Sequence, residues 1–296
     1  MCRVRPPSPI QFLHRRQYPA QIRGNILQDF STRPLNFYSR LGTGSEPKVI
    51  EFNTADDRKE TGRRSQPWTS RLLDQLVPRH CVLCGLFSGL ENLCPPCTAE
   101  LPHNLAACTR CGLPLPTQLE AVCGACLNKP PAWDEVVAGL RYQSPADQLV
   151  CQFKYNRNLA CGQVLGRTLL EAIHLRGGRL PQAIVPVPLH RHRLFARTFN
   201  QAHMLGRQLG RALEIPVIHT ALTRTRKTRA QFGLDALQRR KNIRGAFACR
   251  RHGLKHVAIV DDVMTTGTTL MECTRLLKRS GAEYVTAWVA ARAVYD

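Results

Sequence analysis

The stretch His256-Val-Ala-Ile-Val260-Asp261-Asp262-Val-Met-Thr265-Thr266-Gly267-Thr268-Thr269-Leu270 decides how the rest of this chain is read. A β-branched, apolar run leads into two adjacent carboxylates, then into small hydroxylated residues around one glycine. Helical spacing takes over through Thr269–Ser280 and stops at Gly281. Strand, loop and helix in that order aim the first N–H groups of the helix, and its positive dipole end, at the loop, which makes an anion site. Gly267 lets the backbone approach an anion closely, and the hydroxyls of Thr265, Thr266, Thr268 and Thr269 add donors. Asp261 and Asp262 fall at the carboxyl end of the strand, where open α/β sheets bind their ligands. The plain alternative is an ordinary turn with a capping threonine, but two acids and five small loop residues in register speak against it. No G-x-x-x-x-G-K-[ST] segment occurs, so the loop is not a nucleoside-triphosphatase P-loop.

Working outward, Val136–Leu140, Ala183–Val187 and Tyr284–Ala290 read as strands, and Leu165–His174 and Gln201–Leu213 as helices. Strands alternating with helices of this length predict an α/β domain with a parallel, doubly wound sheet.

The central stretch resembles the motif by which type I phosphoribosyltransferases bind phosphoribosyl pyrophosphate (PRPP): four apolar residues, two acids, then T-x-G-x-T. The resemblance implies that Asp261 and Asp262 hold the ribose hydroxyls and act at the catalytic centre. It assigns the 5′-phosphate to Thr265, Thr266, Gly267, Thr268 and Thr269, with Mg²⁺ carried mainly by pyrophosphate oxygens. Two further segments narrow it to the ComF (competence protein F-like, GntX-type) family. Val185-Pro186-Val187-Pro188-Leu189 followed by Arg197-Thr198-Phe199-Asn200-Gln201-Ala202 is similar to that family's V-P-V-P-L and R-G-F-N-Q-A. Gln231, Leu234, Arg239, Asn242 and Gly245-Ala246-Phe247 are similar to its Q-x-x-L, R-x-x-N and G-A-F. Thr198 departs from the pattern, standing where the family usually has glycine. By resemblance, Val187, Pro188, Leu189 and Arg197 line the pyrophosphate side. Arg224, Arg226, Lys227 and Arg229 are either a lid over it or a solvated charge run.

Of 13 cysteines, eight form four C-x-x-C pairs: Cys81/Cys84, Cys94/Cys97, Cys108/Cys111 and Cys123/Cys126. The pairs repeat, since Cys81-Val-Leu-Cys84-Gly85-Leu86 matches Cys108-Thr-Arg-Cys111-Gly112-Leu113. A C-x-x-C turn sets two thiolates one tetrahedral edge apart, and two such turns close a Cys₄ shell. Four pairs predict two structural zinc sites, with sequential or interleaved pairing both open on spacing alone. A redox dithiol needs one such turn and not four in tandem. The ComF resemblance likewise implies an N-terminal double zinc ribbon.

The layout expected is a Pro/Arg-rich extension over 1–70, a zinc-ribbon region over 71–130 and a phosphoribosyltransferase-like domain over 131–296. Residues 141–296 carry 26 Lys/Arg against 9 Asp/Glu, whereas residues 71–140 carry 4 against 6. The positive field that attracts phosphates therefore belongs to the C-terminal half. No apolar run is long enough to span a membrane, and none at the start reads as a secretory signal, so a cytoplasmic protein is expected. The function expected is PRPP binding with transfer at ribose C1 and release of pyrophosphate. A non-catalytic sensor or DNA-binding module is the alternative. Family resemblance adds a role in DNA uptake or in use of DNA as a nutrient, with single-stranded DNA and a DNA translocase as partners.

Overall fold

A computed structural model describes residues 79–116, 121–190, 194, 198–226, 238, 242–251 and 253–294. The extension over 1–70 lies outside the described residues, as do Arg197, Lys227, Arg229, Gln231, Leu234 and Arg239.

Two short strands, β1 (Arg79–His80) and β2 (Phe87–Gly89), and two short helices, α1 (Pro95–Ala99) and α2 (Gly124–Asn128), belong to the cysteine-rich region. The main domain then runs β3 (Glu135–Arg141), α3 (Ala146–Tyr155), α4 (Leu159–Arg176), β4 (Ala183–Pro186) and α5 (Gln201–Leu213). It continues through β5 (Leu222–Arg224), β6 (Phe247–Cys249), β7 (His256–Met264), α6 (Thr268–Arg279) and β8 (Tyr284–Arg292). Strands β3, β8, β7 and β4 pair in that order, every neighbour parallel, while β5 and β6 form a separate antiparallel hairpin.

The sheet is covered on both faces, as the alternation of strands and helices predicts. Val257–Val260 and Val285–Arg292 are buried throughout, the signature of central parallel strands. Ala258, Val260 and Ala290 turn to a core shared with Leu149, Phe153, Leu165, Leu169, Leu205 and Leu209 of α3, α4 and α5. Val257, Ile259, Ala287 and Val289 turn to the other face, where Leu270, Cys273 and Leu277 of α6 and Leu222 and Phe247 of the hairpin cover them.

Helix α5 begins where expected, and Asn200 explains why. Its Oδ1 accepts from the N–H groups of Ala202 and His203, and its Nδ2 donates to Val187 O at 3.0 Å. One side chain thus caps the helix and holds the Val-Pro-Val-Pro-Leu loop against it. Thr198 has φ +66°, so a β-branched residue occupies the left-handed conformation that the family's usual glycine adopts without strain.

The strand read as Val257–Val260 continues to Met264, and Asp261 and Asp262 lie inside its carboxyl end. Helix α4 starts earlier than its apolar spacing suggests, because the Asn158 side chain caps it at Ala160 and Cys161. Among the described residues no helix is long and apolar enough to cross a membrane.

Candidate phosphate site and metal centres

The phosphate loop forms where β7 gives way to α6. Gly267 takes φ +70° and stands at the N-terminus of α6, and among the described residues no side chain caps this helix. The Thr266 and Thr268 hydroxyls lie 2.8 Å apart at the loop surface, with Thr265 and Thr269 half-buried beside them. Backbone donors, a positive helix end and adjacent hydroxyls together favour a phosphate-sized anion.

Gly267 is there for two separate reasons. Its φ suits glycine, and a Cβ on it would lie 2.7 Å from Cη2 of Trp133. Gly267→Ala is therefore expected to destabilise the fold by about 2 kcal/mol, combining left-handed strain with displacement of a buried indole. A melting temperature unchanged by this substitution would show that the loop relaxes freely.

The two acids do not face the same way. Successive strand residues point to opposite faces, so Asp262 meets Lys154 of α3 while Asp261 turns toward α6 and β5. The Lys154 Nζ lies 3.0 Å from Asp262 Oδ1, with both groups largely shielded from water. Burial, and then the negative charge of Asp262, push the Asp261 carboxyl up to about 7, against the partial relief given by Lys154 and Arg224. Among the described residues the pair makes one ion pair, Lys154 with Asp262, an arrangement that suits a site receiving hydroxyl donors or a dication.

The other predicted residues divide. Val187 is buried and its N–H donates to Val260 O at 2.9 Å, which places the start of the Pro188–Leu189 loop beside the acid strand. Arg224 lies over the Phe247 ring, 5.1 Å from its centroid, on the Asp261 side of the sheet. Arg226 donates to the carbonyls of Asn242 and Arg244, so it clasps its own loop. Lys154 was not legible in the sequence, because nothing in a short amphipathic helix marks which cation reaches a distant carboxylate.

The eight cysteines gather into two groups, Cys81/84/94/97 and Cys108/111/123/126. This is the sequential pairing, and interleaving of the four turns is ruled out. The Cys84 and Cys94 sulfurs are 3.6 Å apart and those of Cys111 and Cys123 are 3.7 Å apart. A tetrahedral site with metal–sulfur bonds of about 2.3 Å has sulfur–sulfur edges of about 3.8 Å, so both groups fit a zinc ion. The two modules repeat each other bond for bond. Cys81 N donates to Leu86 O as Cys108 N does to Leu113 O, and Gly85 N to Cys81 O as Gly112 N does to Cys108 O. Burial raises the Cys81 thiol, but the N–H groups of Cys84, Cys94 and Leu83 outweigh it and bring the group to about 6. Cys108 falls to about 7 by the same balance, with burial opposed by N–H groups of Cys123, Cys111 and Arg110. Cys97 and Cys126 are raised by burial and by the sulfurs beside them. A dication between the four sulfurs removes that repulsion.

The first module sits on α4, with Asn92 Nδ2 donating to Gln163 Oε1 at 2.7 Å and Arg167 paired with Glu91. The second sits beside the phosphate loop, where a cleft of roughly 910 Å³ runs between Cys111, Cys126, Pro131, Trp133, Thr266 and Arg275.

Comparison with known proteins agrees with this layout. A family profile described as "Double zinc ribbon domain" matches residues 72–127. DNA utilization protein YhgH of Escherichia coli O157:H7 is 39% identical over 224 residues, covering 73% of this chain and 98% of the relative. Competence protein F of Haemophilus influenzae is 35% identical over 223 residues, covering 72% and 96%. Among solved structures, adenine phosphoribosyltransferase from Leishmania tarentolae aligns with 55% of this chain and 77% of its own, at 15% identity and TM-score 0.31. The glutamine PRPP amidotransferase from B. subtilis aligns with 48% and 30%, at 17% identity and TM-score 0.32. These superpositions are too loose to add to the topology described above. The sequence relatives, matched along nearly their whole length, decide the question: the chain belongs to the competence protein F and DNA utilization protein (ComF) family.

Proposed function

We propose that this protein binds PRPP with Mg²⁺ at the carboxyl end of β7 and transfers the phosphoribosyl group with release of pyrophosphate. The observation that carries the reading is the glycine-hinged start of α6, with no side-chain cap among the described residues, directly after the adjacent Asp261–Asp262 pair at the end of β7. In this reading the loop Thr265–Thr269 takes the 5′-phosphate, and Asp261 and Asp262 accept hydrogen bonds from the ribose hydroxyls. The Mg²⁺ travels with the pyrophosphate, whose oxygens lie toward the Val187–Leu189 loop. Arg224 supplies fixed positive charge on the Asp261 side as pyrophosphate departs from an oxocarbenium-like C1. The protein's contribution is positioning and charge stabilisation, with no covalent step of its own. The two Cys₄ centres hold structural zinc, since four cysteines leave no open coordination position.

The reading extends to the handling of DNA in the cytoplasm, with single-stranded DNA and a DNA translocase as partners; relatives named a DNA utilization protein and a competence protein support its DNA-related part. Lys129, Arg244, Arg275 and Arg279 are exposed around the large cleft and, among the described residues, none is in an ion pair. They favour a second reading in which the protein grips DNA without turning over PRPP.

One set of measurements separates the two. PRPP with Mg²⁺ is expected to raise the melting temperature, by an amount equivalent to about 2.7 kcal/mol at a hundredfold excess over Kd. Ribose 5-phosphate alone gives a smaller shift, and pyrophosphate appears when the acceptor is present. If PRPP up to millimolar concentration moves nothing, and an oligonucleotide binds with an affinity falling steeply with salt, the DNA reading replaces this one.

A further inference from the structure

Trp133 and Arg292 tie the phosphate loop to the second cysteine centre. Trp133 is 3% exposed, and its Nε1 donates at 2.5 Å to the carbonyl of Arg110, which lies between the ligands Cys108 and Cys111. The far edge of the same indole rests on Gly267, so close that a Cβ there would displace it. Arg292, at the end of the central strand β8, is buried with its guanidinium spread across both sites. Its Nε donates to Cys111 O at 2.7 Å, and one terminal nitrogen donates to Thr265 O at 2.6 Å and Met264 O at 3.1 Å. Gly112, the turn glycine after Cys111, lies against the joint, where a Cβ would make ordinary contacts of 3.6 Å with the Arg292 Cδ and the Met264 Cε. Two rigid, donor-bearing side chains therefore read the backbone of one C-x-x-C turn and fix the backbone of the phosphate loop. The first module is tied to α4, through Asn92, Glu91 and Arg167.

We propose that Trp133 and Arg292 are positioning residues that hold Thr265–Gly267 in its anion-binding shape against the Cys108–Cys111 turn, so that order in the phosphate loop depends on the second cysteine centre and not on the first. The turn's carbonyls point at Trp133 and Arg292 only while its two cysteines are held together. Without that restraint the Arg110 and Cys111 carbonyls move, the buried guanidinium loses an acceptor it cannot replace with water, and the loop carbonyls it also holds are released. The ligand half of this inference rests on the PRPP reading above, and the loop half does not.

The test is hydrogen exchange measured by mass spectrometry on the full-length, zinc-loaded chain, comparing peptides from the phosphate loop with peptides from α4. Trp133→Phe keeps a ring against Gly267 but removes the indole N–H, and Arg292→Met keeps the apolar stem but removes the guanidinium. Both are expected to speed exchange of the loop amides by at least about tenfold, leaving α4 within about twofold and the zinc content unchanged. In parallel the PRPP Kd rises by about tenfold or more. Arg167→Met, which cuts the tie of the first module to α4, leaves the loop as in the wild type. The metal arm uses Cys123→Ser in the second centre and Cys84→Ser in the first, both at half-buried cysteines. Loop exchange accelerates in Cys123→Ser and stays slow in Cys84→Ser. Unchanged loop exchange in Arg292→Met and Trp133→Phe, or equal acceleration in both cysteine variants, overturns the proposal. Should Cys123→Ser fail to fold, the Arg292 and Trp133 variants decide it. Should the loop respond as expected while PRPP fails to bind the wild type, the coupling stands and the PRPP reading falls.

Discussion

The double variant Asp261→Asn, Asp262→Asn is expected to fold, to melt near the wild type and to show no thermal response to PRPP. Each carboxylate accepting a ribose hydroxyl makes a charge-assisted bond worth about 1.5–3 kcal/mol, so losing both weakens binding by tenfold at the least. Stability changes little at neutral pH because two effects oppose each other. Asp262→Asn takes the counter-ion from Lys154, which is destabilising. Asp261→Asn removes a carboxyl that the fold holds uncomfortably, with its titration pushed up to about 7 from 3.8 by burial and then by Asp262. A carboxyl raised in the folded state favours folding most below its unfolded value, and that contribution is lost as pH climbs through the folded value. The single variant Asp261→Asn should therefore melt higher than wild type at pH 8, with the gain shrinking toward pH 4. Calorimetry across that range checks the sign, and a gain that grows on acidification contradicts the burial argument. Retained PRPP affinity in a folded double variant would show that the acids are not the ribose clamp, leaving an anion site at Thr265–Thr269 alone.

Loss of the metals is expected to cost more than the cysteine-rich region itself. Cys81, Cys94 and Cys97, with Leu93 and Leu101, belong to the same apolar core as α3, α4 and α5. Disordering the first module therefore uncovers the flank of the main domain formed by α3, α4 and α5, across the sheet from α6 and the phosphate loop. Structural zinc binding is worth about 10–16 kcal/mol in small domains, comparable with the whole stability of an ordinary fold at about 5–15 kcal/mol. Even a loss of about 4 kcal/mol lowers the melting temperature of a domain this size by roughly 8–16 °C. Elemental analysis should find about two zinc ions per chain, and removing them with a chelator should abolish or sharply lower the cooperative transition. Metal-free protein that melts with the native midpoint, its eight cluster thiols all freely titratable, would remove zinc from the account.

The features legible in the sequence are those whose physical requirements are satisfied within a few residues. A C-x-x-C turn with a following glycine brings two sulfurs together by its own backbone, so the knuckles at Cys81 and Cys108 could be read one by one. The phosphate loop is a single contiguous stretch because a strand end, a left-handed glycine and a helix start must follow one another directly. Asn200 caps the helix it precedes, and α5 begins where its neighbours say it must. Pairings across the chain left no such mark. Which knuckles share a centre, that Lys154 reaches Asp262, and that Asp261 and Asp262 leave opposite faces of β7 followed only once the sheet order and its two cores were in place. Helix α3 escaped notice because its apolar positions Leu149, Val150 and Phe153 are too few to show a period, although its packing carries Lys154 to the acids. Trp133 and Arg292 are the clearest case, the latter bonded to a carbonyl 181 residues away. In sequence nothing marks either residue. They become joints because tertiary packing buries a backbone acceptor beside each, and a buried acceptor must be met by whichever donor the fold brings within reach.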